Sequence, residues 1–574
     1  MSVSFGRKNT KVGFFVDSDL VQKVDNANEN ILGIGVNVLY PPPPFQHVSN
    51  DGSDVTSALQ AIITNMSGST IVLPDGDYGI SSTLDCPDNT TLILAYRARL
   101  FTTKFLDNIL QCKGSVTGTT ALSADLPMGS RDGIGVTDAS IFSVGDLIMI
   151  RDNYRPETNQ PTRGEMHYIH AVDASSNTID IEEPTWDTYQ VSQSACIDLI
   201  TPKQNFRIFG GIFEGLGVGG NQYSGLLIQN VVNFRIVQAK VRKWARRGIS
   251  VSGSLFGKID HCYFEDIYDT NPNNNPTGYA IEFSCGTQWS DVVYCSAIRV
   301  SKLWDASGSG SGFSRFCNVE HNKVYGANRG GISTHAAASH ININDNDIYG
   351  SRLAEMGEGH GIFVRGANMT ITNNRIYSPA EYGIECQSNG SIGSYNISGN
   401  KIYNAGQVGI RVAQRDAETL TIANRIHDIN IQDNEVDLCG QDGILVYAFT
   451  DTNGAMSNIN VHGNTVKHQG TYGIRVAMST GEIDDGAISD NIVQFVGDST
   501  AGTASIALKP NAGKNISGFL VQGNRCLGSE TGILSSDSTH VVGSYVNNNL
   551  IKAKVAGVSG FDASQVGTNP TTIA

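Results

Sequence analysis

The chain has 574 residues with 63 glycines, 17% charged residues and a formal net charge of −15. A glycine-rich chain of this length suits a large β protein with an ample core. The acidic balance argues against nucleic acid as a partner. Because no run of roughly 18 apolar residues exists, we expect no membrane insertion. Met1–Thr10 contains no apolar signal segment, so we expect synthesis in the cytoplasm without secretory export.

Residues 1–44 are predicted to form an N-terminal appendage. They are polar, contain charges of both signs and end in the run Pro41–Pro44, which favours an extended polyproline spacer. Residues 45–114 follow as the entry to a repeated structure. A short amphipathic helix is predicted there, with Val55, Leu59 and Ile62 on one stripe. Such a helix would cap the open end of a stacked β-structure and protect its first edge.

Residues 115–200 interrupt the repeat and are predicted to be a small inserted β domain. Short apolar runs separated by turn residues resemble the strands of a small barrel, at Ser143–Ile150, His167–Val172 and Asn177–Ile181. The spacing of the ten cysteines does not predict a disulfide framework, because no two of them are closely paired. We expect them to be free and mostly buried.

Residues 201–552 contain a repeated frame, apolar-x-x-Asn-x-apolar, spaced 24 to 34 residues apart. The nine asparagines are Asn322, Asn346, Asn374, Asn400, Asn434, Asn464, Asn491, Asn524 and Asn549, the last frame ending in Ile551. A period that varies around one structural turn indicates a solenoid with insertions in its loops. Identical residues superpose on rungs about 4.8 Å apart, so stacked amides can bond along the column.

A second frame, Gly-apolar-x-(apolar or Thr)-x, occurs once per turn. Its glycines are Gly248, Gly278, Gly331, Gly361, Gly383, Gly409, Gly443 and Gly473. Period-two alternation places the second and fourth residues inside and the third and fifth outside. The fold class is therefore all-β, a parallel β-helix that the crossover rule makes right-handed. Residues 553–574 are predicted to be a Gly/Ser/Thr tail.

Three features together resemble the pectate-lyase-like superfamily and, within it, the tailspike depolymerases of bacteriophages. They are the entry segments Asp51–Asp54 and Ile71–Tyr78, the inserted strand Val144–Leu147 and the asparagine column. The resemblance covers residues 45–551. It implies a homotrimer in the virion that binds and cleaves bacterial surface polysaccharide and is joined to the phage tail or baseplate through the N-terminal segment. Outward Phe363, Leu445 and Tyr447 also favour a trimer.

The outward positions of the second frame predict the active face. The fifth position would align Glu282, His335 and Arg365, and the third position Glu385 and Arg411. We expect His335, Arg365, Glu282 and Glu385 to be catalytic. The neighbouring residues predicted to bind substrate are Arg411, Arg246, Arg247, Trp244, Glu358, His360 and Tyr382.

Two mechanisms remain open, with β-elimination on an anionic glycan favoured. In elimination, His335 would be the base and Arg365 or Arg411 would neutralise a uronate carboxylate. In hydrolysis, Glu282 or Glu358 would pair with Glu385 around the glycosidic bond. A non-catalytic glycan-binding spike is the third possibility. No cluster of acidic residues suits calcium on this face, so neither metal nor cofactor is expected.

Overall fold

The computed structural model describes residues 35–573, except 157–159, 218–223, 268–277, 309, 352–358, 389–392, 415–425, 449–454, 480–481, 496–501 and 512. The chain winds into a solenoid of parallel strands that form three long faces, here named sheets 1, 2 and 3. Sheets 2 and 3 meet at the asparagine column, and sheet 1 closes the third side. The predicted parallel β-helix is confirmed.

Sheet 1 has fifteen parallel strands. They are Leu84–Asp85, Asn108–Lys113, Ser224–Gln229, Arg247–Ser252, Tyr279–Ser284, Lys302–Ser307, Gly330–Thr334, His360–Arg365, Ile384–Ser388, Ile410–Gln414, Ile444–Ala448, Tyr472–Met478, Ala504–Lys509, Thr531–Ser535 and Ala556–Ser559. Their inward Ile and Val side chains stack in the solenoid core. A glycine is needed beside this column because a Cβ at Gly383 would lie 2.5 Å from the Gly409 carbonyl oxygen.

Sheet 2 consists of the strands that precede the asparagine turn. They are Val36–Asn37, Thr70–Leu73, Arg235–Val237, Lys258–Asp260, Asp291–Val293, Ser314–Glu320, Ala338–Asn344, Ala367–Thr372, Gly393–Ser398, Ile426–Gln432, Ala455–His462, Glu482–Ser489, Ile516–Gln522, Val541–Val542 and Tyr545–Asn547. Two long strands, Thr91–Thr102 and Arg207–Glu214, begin in sheet 2 and continue into sheet 3. A separate parallel pair joins Lys203–Gln204 and Val231–Val232.

Sheet 3 consists of the strands that follow the turn. They are Asp51–Asp54, Gly76–Ile80, Lys240–Trp244, Tyr263–Ile267, Ser296–Val300, Lys323–Tyr325, Asp347–Ser351, Arg375–Pro379, Lys401–Tyr403, Glu435–Cys439, Thr465–Gln469, Ile492–Gln494, Arg525–Leu527, Leu550–Ala553 and Thr571–Ile573. Short 3₁₀ turns lie at Val191–Gln193, Ser538–His540 and Ala563–Gln565.

The asparagine column is buried and continuously hydrogen-bonded, as predicted. Asn400 Nδ2 donates to Asn434 Oδ1 at 2.9 Å, and Asn374 Nδ2 donates to Asn400 Oδ1 at 3.0 Å. The column extends one member further than predicted, because Asn549 Nδ2 donates to Asn569 Oδ1 at 2.9 Å. Residues 553–574 are therefore not a plain tail. They add another turn, in which Ala556–Ser559 joins sheet 1 and Thr571–Ile573 joins sheet 3.

The predicted capping helix is Thr56–Asn65, and its buried side chains include Leu59, Ile62 and Ile63. The boundary at residue 44 is wrong in part, because Val36–Asn37 already pairs with the solenoid. The proline run does not extend as a spacer. Phe45 N donates to the Pro42 carbonyl at 3.2 Å and closes a turn there. None of the described helices is long and apolar enough to cross a membrane.

The inserted domain is a six-stranded antiparallel sheet with its own core. Its strands are Ser115–Ala121, Ile134–Gly135, Leu147–Arg151, Gly164–Asp173, Thr178–Ile181 and Cys196–Thr201. A bridge between Leu122 and Val136 joins its two edges, which makes it barrel-like. All ten cysteines of the chain are free, and nine of them are buried.

Candidate active site

The inserted domain packs on the solenoid beside sheet 1. Thr162 forms a parallel bridge with Ser311, and its amide donates to the Gly310 carbonyl at 3.0 Å. Gly312 N in turn donates to the Thr162 carbonyl at 2.9 Å. This strand-like contact fixes Gln160, two residues before Thr162, against the outward face of the solenoid. Gln160 Nε2 lies 2.8 Å from His335 Nδ1. The candidate site therefore combines residues of both units.

The outward column of sheet 1 is polar along four successive rungs. In register, Ser250 is followed by Glu282, Asp305 and Ser333. The glycine frame predicts Glu282 in the next column, with His335 and Arg365, and this prediction is wrong. The repeat is shifted by two residues on that rung, because Ala280 rather than Gly278 aligns with Gly248. A shift of two preserves the inside–outside alternation but moves the carboxylate to the third position.

Asp305, which the glycine frame does not predict, lies at the centre of this cluster. Its carboxylate is fully buried and contacts Lys302 Nζ at 3.2 Å and His335 Nε2 at 3.3 Å. Ser333 Oγ also donates to it. Burial by itself raises the pKa of a carboxyl group, but Lys302 and His335 hold the pKa of Asp305 well below its usual range. Asp305 is therefore an ionised group beneath the imidazole.

The contacts of His335 define its tautomer. Arg365 Nη2 lies 2.9 Å from His335 Nδ1, and a guanidinium nitrogen can only donate. Nδ1 must therefore accept and have no proton in this arrangement. The ring proton then resides on Nε2, which faces Asp305. The geometry places a basic nitrogen beside a cation, with a buried carboxylate behind the ring.

The Glu282 carboxylate is bound by three side chains of the protein itself. Arg247 forms an ion pair with it, Ser307 Oγ donates to Oε1 at 2.9 Å, and Ser250 Oγ donates to Oε2 at 3.2 Å. Only 3% of the residue is exposed. Arg247, which is predicted to bind substrate, therefore binds the Glu282 carboxylate in this structure.

A second ionic cluster lies farther along the same face, around Glu385. His360 Nδ1 lies 2.8 Å from Oε2, and Arg411 Nη1 lies 3.0 Å from Oε1. Arg411 also donates to the Tyr382 hydroxyl at 3.0 Å. Burial raises the pKa of the Glu385 carboxyl, but the His360 and Arg411 contacts outweigh it and hold the pKa below its usual value. On the other side of the ring, Glu381 Oε2 lies 3.5 Å from His360 Nε2.

The two clusters are too far apart to act on one glycosidic bond. In register, Glu282 is followed by Asp305, Ser333, Phe363 and Glu385, so four rung spacings separate the two glutamates. At about 4.8 Å per rung their backbones lie roughly 19 Å apart, beyond the ~5–9.5 Å that paired carboxylates require. The predicted Glu282–Glu385 pair is therefore wrong.

Three predicted substrate-binding residues remain, namely Trp244, Arg246 and Glu358. Trp244 does not reach the surface: it is 1% exposed, and its Nε1 donates to the Phe213 carbonyl at 3.3 Å. Arg246 is partly exposed and lies directly before the sheet 1 strand Arg247–Ser252. Glu358 lies outside the described residues. Among the described residues, no three His, Cys, Asp or Glu side chains are arranged to hold a metal ion.

Comparison with known proteins supports the architecture. A family model described as a right-handed β-helix region matches residues 304–426. The fold is a right-handed parallel β-helix. A comparison with curated protein sequences gives no match.

Three solved structures illustrate the similarity in fold. The tailspike gp61 of Pseudomonas phage phi297 is 14% identical with a TM-score of 0.50, over 88% of this chain and 73% of that one. The tailspike gp49 of Pseudomonas phage LKA1 is 15% identical with a TM-score of 0.48, over 78% and 75%. Gp54 of Acinetobacter baumannii bacteriophage AP22, solved with a capsular saccharide, is 13% identical with a TM-score of 0.46, over 90% and 74%. At these identities the similarity concerns the fold alone.

Proposed function

We propose that this chain is a tailspike-type depolymerase that cleaves bacterial surface polysaccharide by β-elimination next to an anionic sugar. The observation that supports this most directly is the 2.9 Å contact between His335 Nδ1 and Arg365 Nη2. In a uronate the acidic proton and the carboxyl group are both attached to C5. A base and a cation held side by side match that substrate geometry.

The chemical step follows from these positions. The substrate carboxylate attracts the Arg365 guanidinium away from the imidazole, and neutralisation of that carboxylate acidifies the C5 proton. His335 Nδ1 takes this proton once Arg365 and Gln160, which both contact it, have moved aside. The electron pair forms the C4–C5 double bond as the C4–oxygen bond breaks, and the leaving oxygen is protonated by the imidazolium or by water. Asp305, which contacts Nε2, stabilises the transient positive charge on the ring.

The state of the neighbouring carboxylates also favours elimination. Glu282, Asp305 and Glu385 are each in contact with cationic side chains. The pKa values of Asp305 and Glu385 are both lowered despite burial, because of these partners. A hydrolase needs a carboxylic acid that stays protonated at working pH, which requires a raised pKa. Asp305 and Glu385 do not meet that requirement.

One observation supports hydrolysis as a second candidate. Glu381 and Glu385 contact opposite nitrogens of His360, so two carboxylates bracket a position on the same face. However, the His360 contact lowers the pKa of Glu381 as well. Neither group is then a ready proton donor, and we rank this mechanism second.

The assembly is proposed from the family resemblance. We expect a homotrimer attached to the phage tail through the N-terminal segment. The outward apolar residues offer less support than expected, because Phe363 is 9% and Leu445 6% exposed within a single chain. Only Tyr447 of that set is partly exposed.

Product analysis tests the proposed reaction. The purified protein is incubated with surface polysaccharide from a panel of host strains and with polygalacturonate, and the oligosaccharides are analysed by mass spectrometry. Elimination gives a terminal unsaturated uronate, lighter by one water than the hydrolysis product. His335→Ala and Arg365→Ala should each reduce product formation at least roughly a hundredfold.

A matched control uses a histidine away from this face. His427→Ala alters a half-exposed histidine of sheet 2, whose Nδ1 contacts Asp428, and should retain normal activity. A product with a new reducing end but no unsaturated uronate would show that the reaction is hydrolysis and not elimination. Near-normal activity of folded His335→Ala and Arg365→Ala variants would show that this face is not catalytic.

A further inference from the structure

A groove on sheet 2 lies on a different face from the ionic clusters. It has a volume of about 520 Å³, within the usual range for small-ligand sites. Its lining includes Trp289, Phe316 and His340 on one side and Asn342 and Thr370 on the other. It is separated from His335 only by the short turn that leads from sheet 1 into the strand Ala338–Asn344.

The aromatic side of the groove occupies an unusual backbone position. The strands of sheet 2 have one residue per turn in the left-handed region, which non-glycine residues adopt at a cost in backbone energy. On many turns this residue is one that tolerates the conformation, namely Asn205, Asn233, Asn368, Asp428, Asn458, Asp485 or Gly518. On four consecutive turns it is instead Phe256, Trp289, Phe316 or His340, with φ between 47° and 55°. Strained residues of this kind cluster at functional sites.

These four rings follow one another along the face: Phe256, Trp289 and Phe316 are stacked, and His340 is tilted by 34° against Phe316. The centroids of Phe256 and Trp289 are 5.4 Å apart, those of Trp289 and Phe316 5.5 Å, and those of Phe316 and His340 4.9 Å. Trp186 of the inserted domain packs edge-on against Phe316 at 4.8 Å. Because the stacked rings of Phe256, Trp289 and Phe316 cover one another's faces, they present their edges outward. Aromatic edges are electropositive and attract oxygen lone pairs.

The other side of the groove is a column of uncharged polar groups. Asn342 Nδ2 donates to Asn318 Oδ1 at 2.8 Å, and the same outward column continues through Thr370 to Asn396. A side-chain amide has two N–H donors and two lone pairs, so this bond leaves Asn342 a second donor for a ligand. Among the described residues that line the groove, His340 is the only one with an ionisable side chain. Burial and the nearby Arg315 lower the pKa of His340, which keeps its ring neutral at physiological pH.

We infer that this groove is a second saccharide-binding site, selective for uncharged sugar residues. Ring edges and amide donors match the hydroxyl and ring oxygens of a sugar, and the uncharged lining gives no advantage to an anionic one. Together with the Arg365 guanidinium on sheet 1, the groove suits a heteropolysaccharide that contains both neutral and acidic sugars. The assignment does not depend on the cleavage chemistry, because binding can be measured when His335 is replaced.

The four tryptophans of the chain provide the readout. Trp244 and Trp304 are buried in the core, whereas Trp289 lines the groove and is partly exposed. Trp186 is 39% exposed and packs against Phe316 and His340 of the groove. The His335→Ala protein is titrated with maltohexaose and chitohexaose as uncharged probes and with an alginate hexamer as the anionic probe. Binding is followed by the protection of tryptophan fluorescence from acrylamide quenching. We expect protection by at least one uncharged hexamer and none by alginate.

Two variants localise the effect. Asn342→Ala combined with Thr370→Ala should weaken binding at least tenfold. Asn460→Ala removes an equivalent amide of the same outward column, beyond the groove, and should leave binding unchanged. Lack of protection by both uncharged hexamers, equal protection by alginate, or unchanged binding by the double variant would each overturn the assignment. So would a change of oligomeric state in the double variant during sedimentation, because the groove would then be a contact between copies of the chain.

Discussion

Replacement of Asn400 by alanine tests whether the asparagine column stabilises the solenoid. Asn400 is fully buried. Its Nδ2 donates to the Ile371 carbonyl at 2.8 Å and to Asn434 Oδ1 at 2.9 Å. Its Oδ1 accepts the backbone N–H and the Nδ2 of Asn374, both at 3.0 Å. The substitution therefore removes these four bonds and a longer one from Nδ2 to the Ser398 carbonyl at 3.2 Å, and it leaves two donors of Asn374 without an acceptor.

The expected loss of stability follows from those orphaned donors. Each buried polar group without a partner costs about 1–3 kcal/mol, and a water that enters the small cavity can recover part of this. We therefore expect Asn400→Ala to lower the free energy of unfolding by about 3 kcal/mol. The turn between sheets 2 and 3 lies away from sheet 1, so the catalytic constants of the folded fraction should be nearly unchanged.

The assay is equilibrium urea unfolding followed by tryptophan fluorescence. Asn460→Ala is the matched control, since Asn460 is partly exposed and its Nδ2 makes a single ladder bond to Asn430 Oδ1 at 3.0 Å. Water can replace that bond, so we expect a loss below about 1 kcal/mol. If the two variants prove equally stable, the buried hydrogen bonds of Asn400 contribute no more to stability than the exposed bond of Asn460.

Four further outcomes are expected. Asp305→Asn should reduce turnover at least roughly a hundredfold in steady-state kinetics, with a smaller change in KM, because the imidazolium loses its counter-charge. If Asp305 were purely structural, the variant would instead lose folded protein. Glu282→Gln should be tolerated better than His335→Ala under elimination, and equal severity would favour a carboxylate mechanism. Glu385 has a folded-state pKa below its ordinary 4.5, so its stabilising effect is present above that pH and is lost as the pH falls through the folded value. The stability gap between wild type and Glu385→Gln should therefore shrink in urea titrations at acidic pH, and a gap independent of pH would contradict the assigned ion pairs. Sedimentation at micromolar concentration should show a trimer, and a stable monomer would remove the proposed assembly.

Much of the architecture could be predicted because it depends on the local periodicity of the sequence. A period-two pattern determines which residues face inward, and a recurring Asn marks each turn regardless of the loop that follows. The capping helix was equally local, since one stripe of Leu59, Ile62 and Ile63 is enough to define it. Asn569 shows the limit of the chosen frame: it belongs to the column, but Thr571 stands where the pattern required an apolar residue.

The site could be predicted only in part. His335 and Arg365 were identified because the strand alternation placed both outward, and the structure brings them within 2.9 Å. Asp305 was missed because its rung has Leu303 where most others have glycine. Alignment of the core residues Ile281, Trp304 and Ile332 would have revealed it.

The sequence by itself determined which side chains face outward, because alternation along a strand depends only on neighbouring residues. The tertiary structure decided which of them meet. Loops of different length separate the rungs, so a shift of two residues changes a column without disturbing the core, as happened for Glu282. Gln160 reaches His335 across 175 positions of the chain, and only the packing of the inserted domain on the solenoid brings them together.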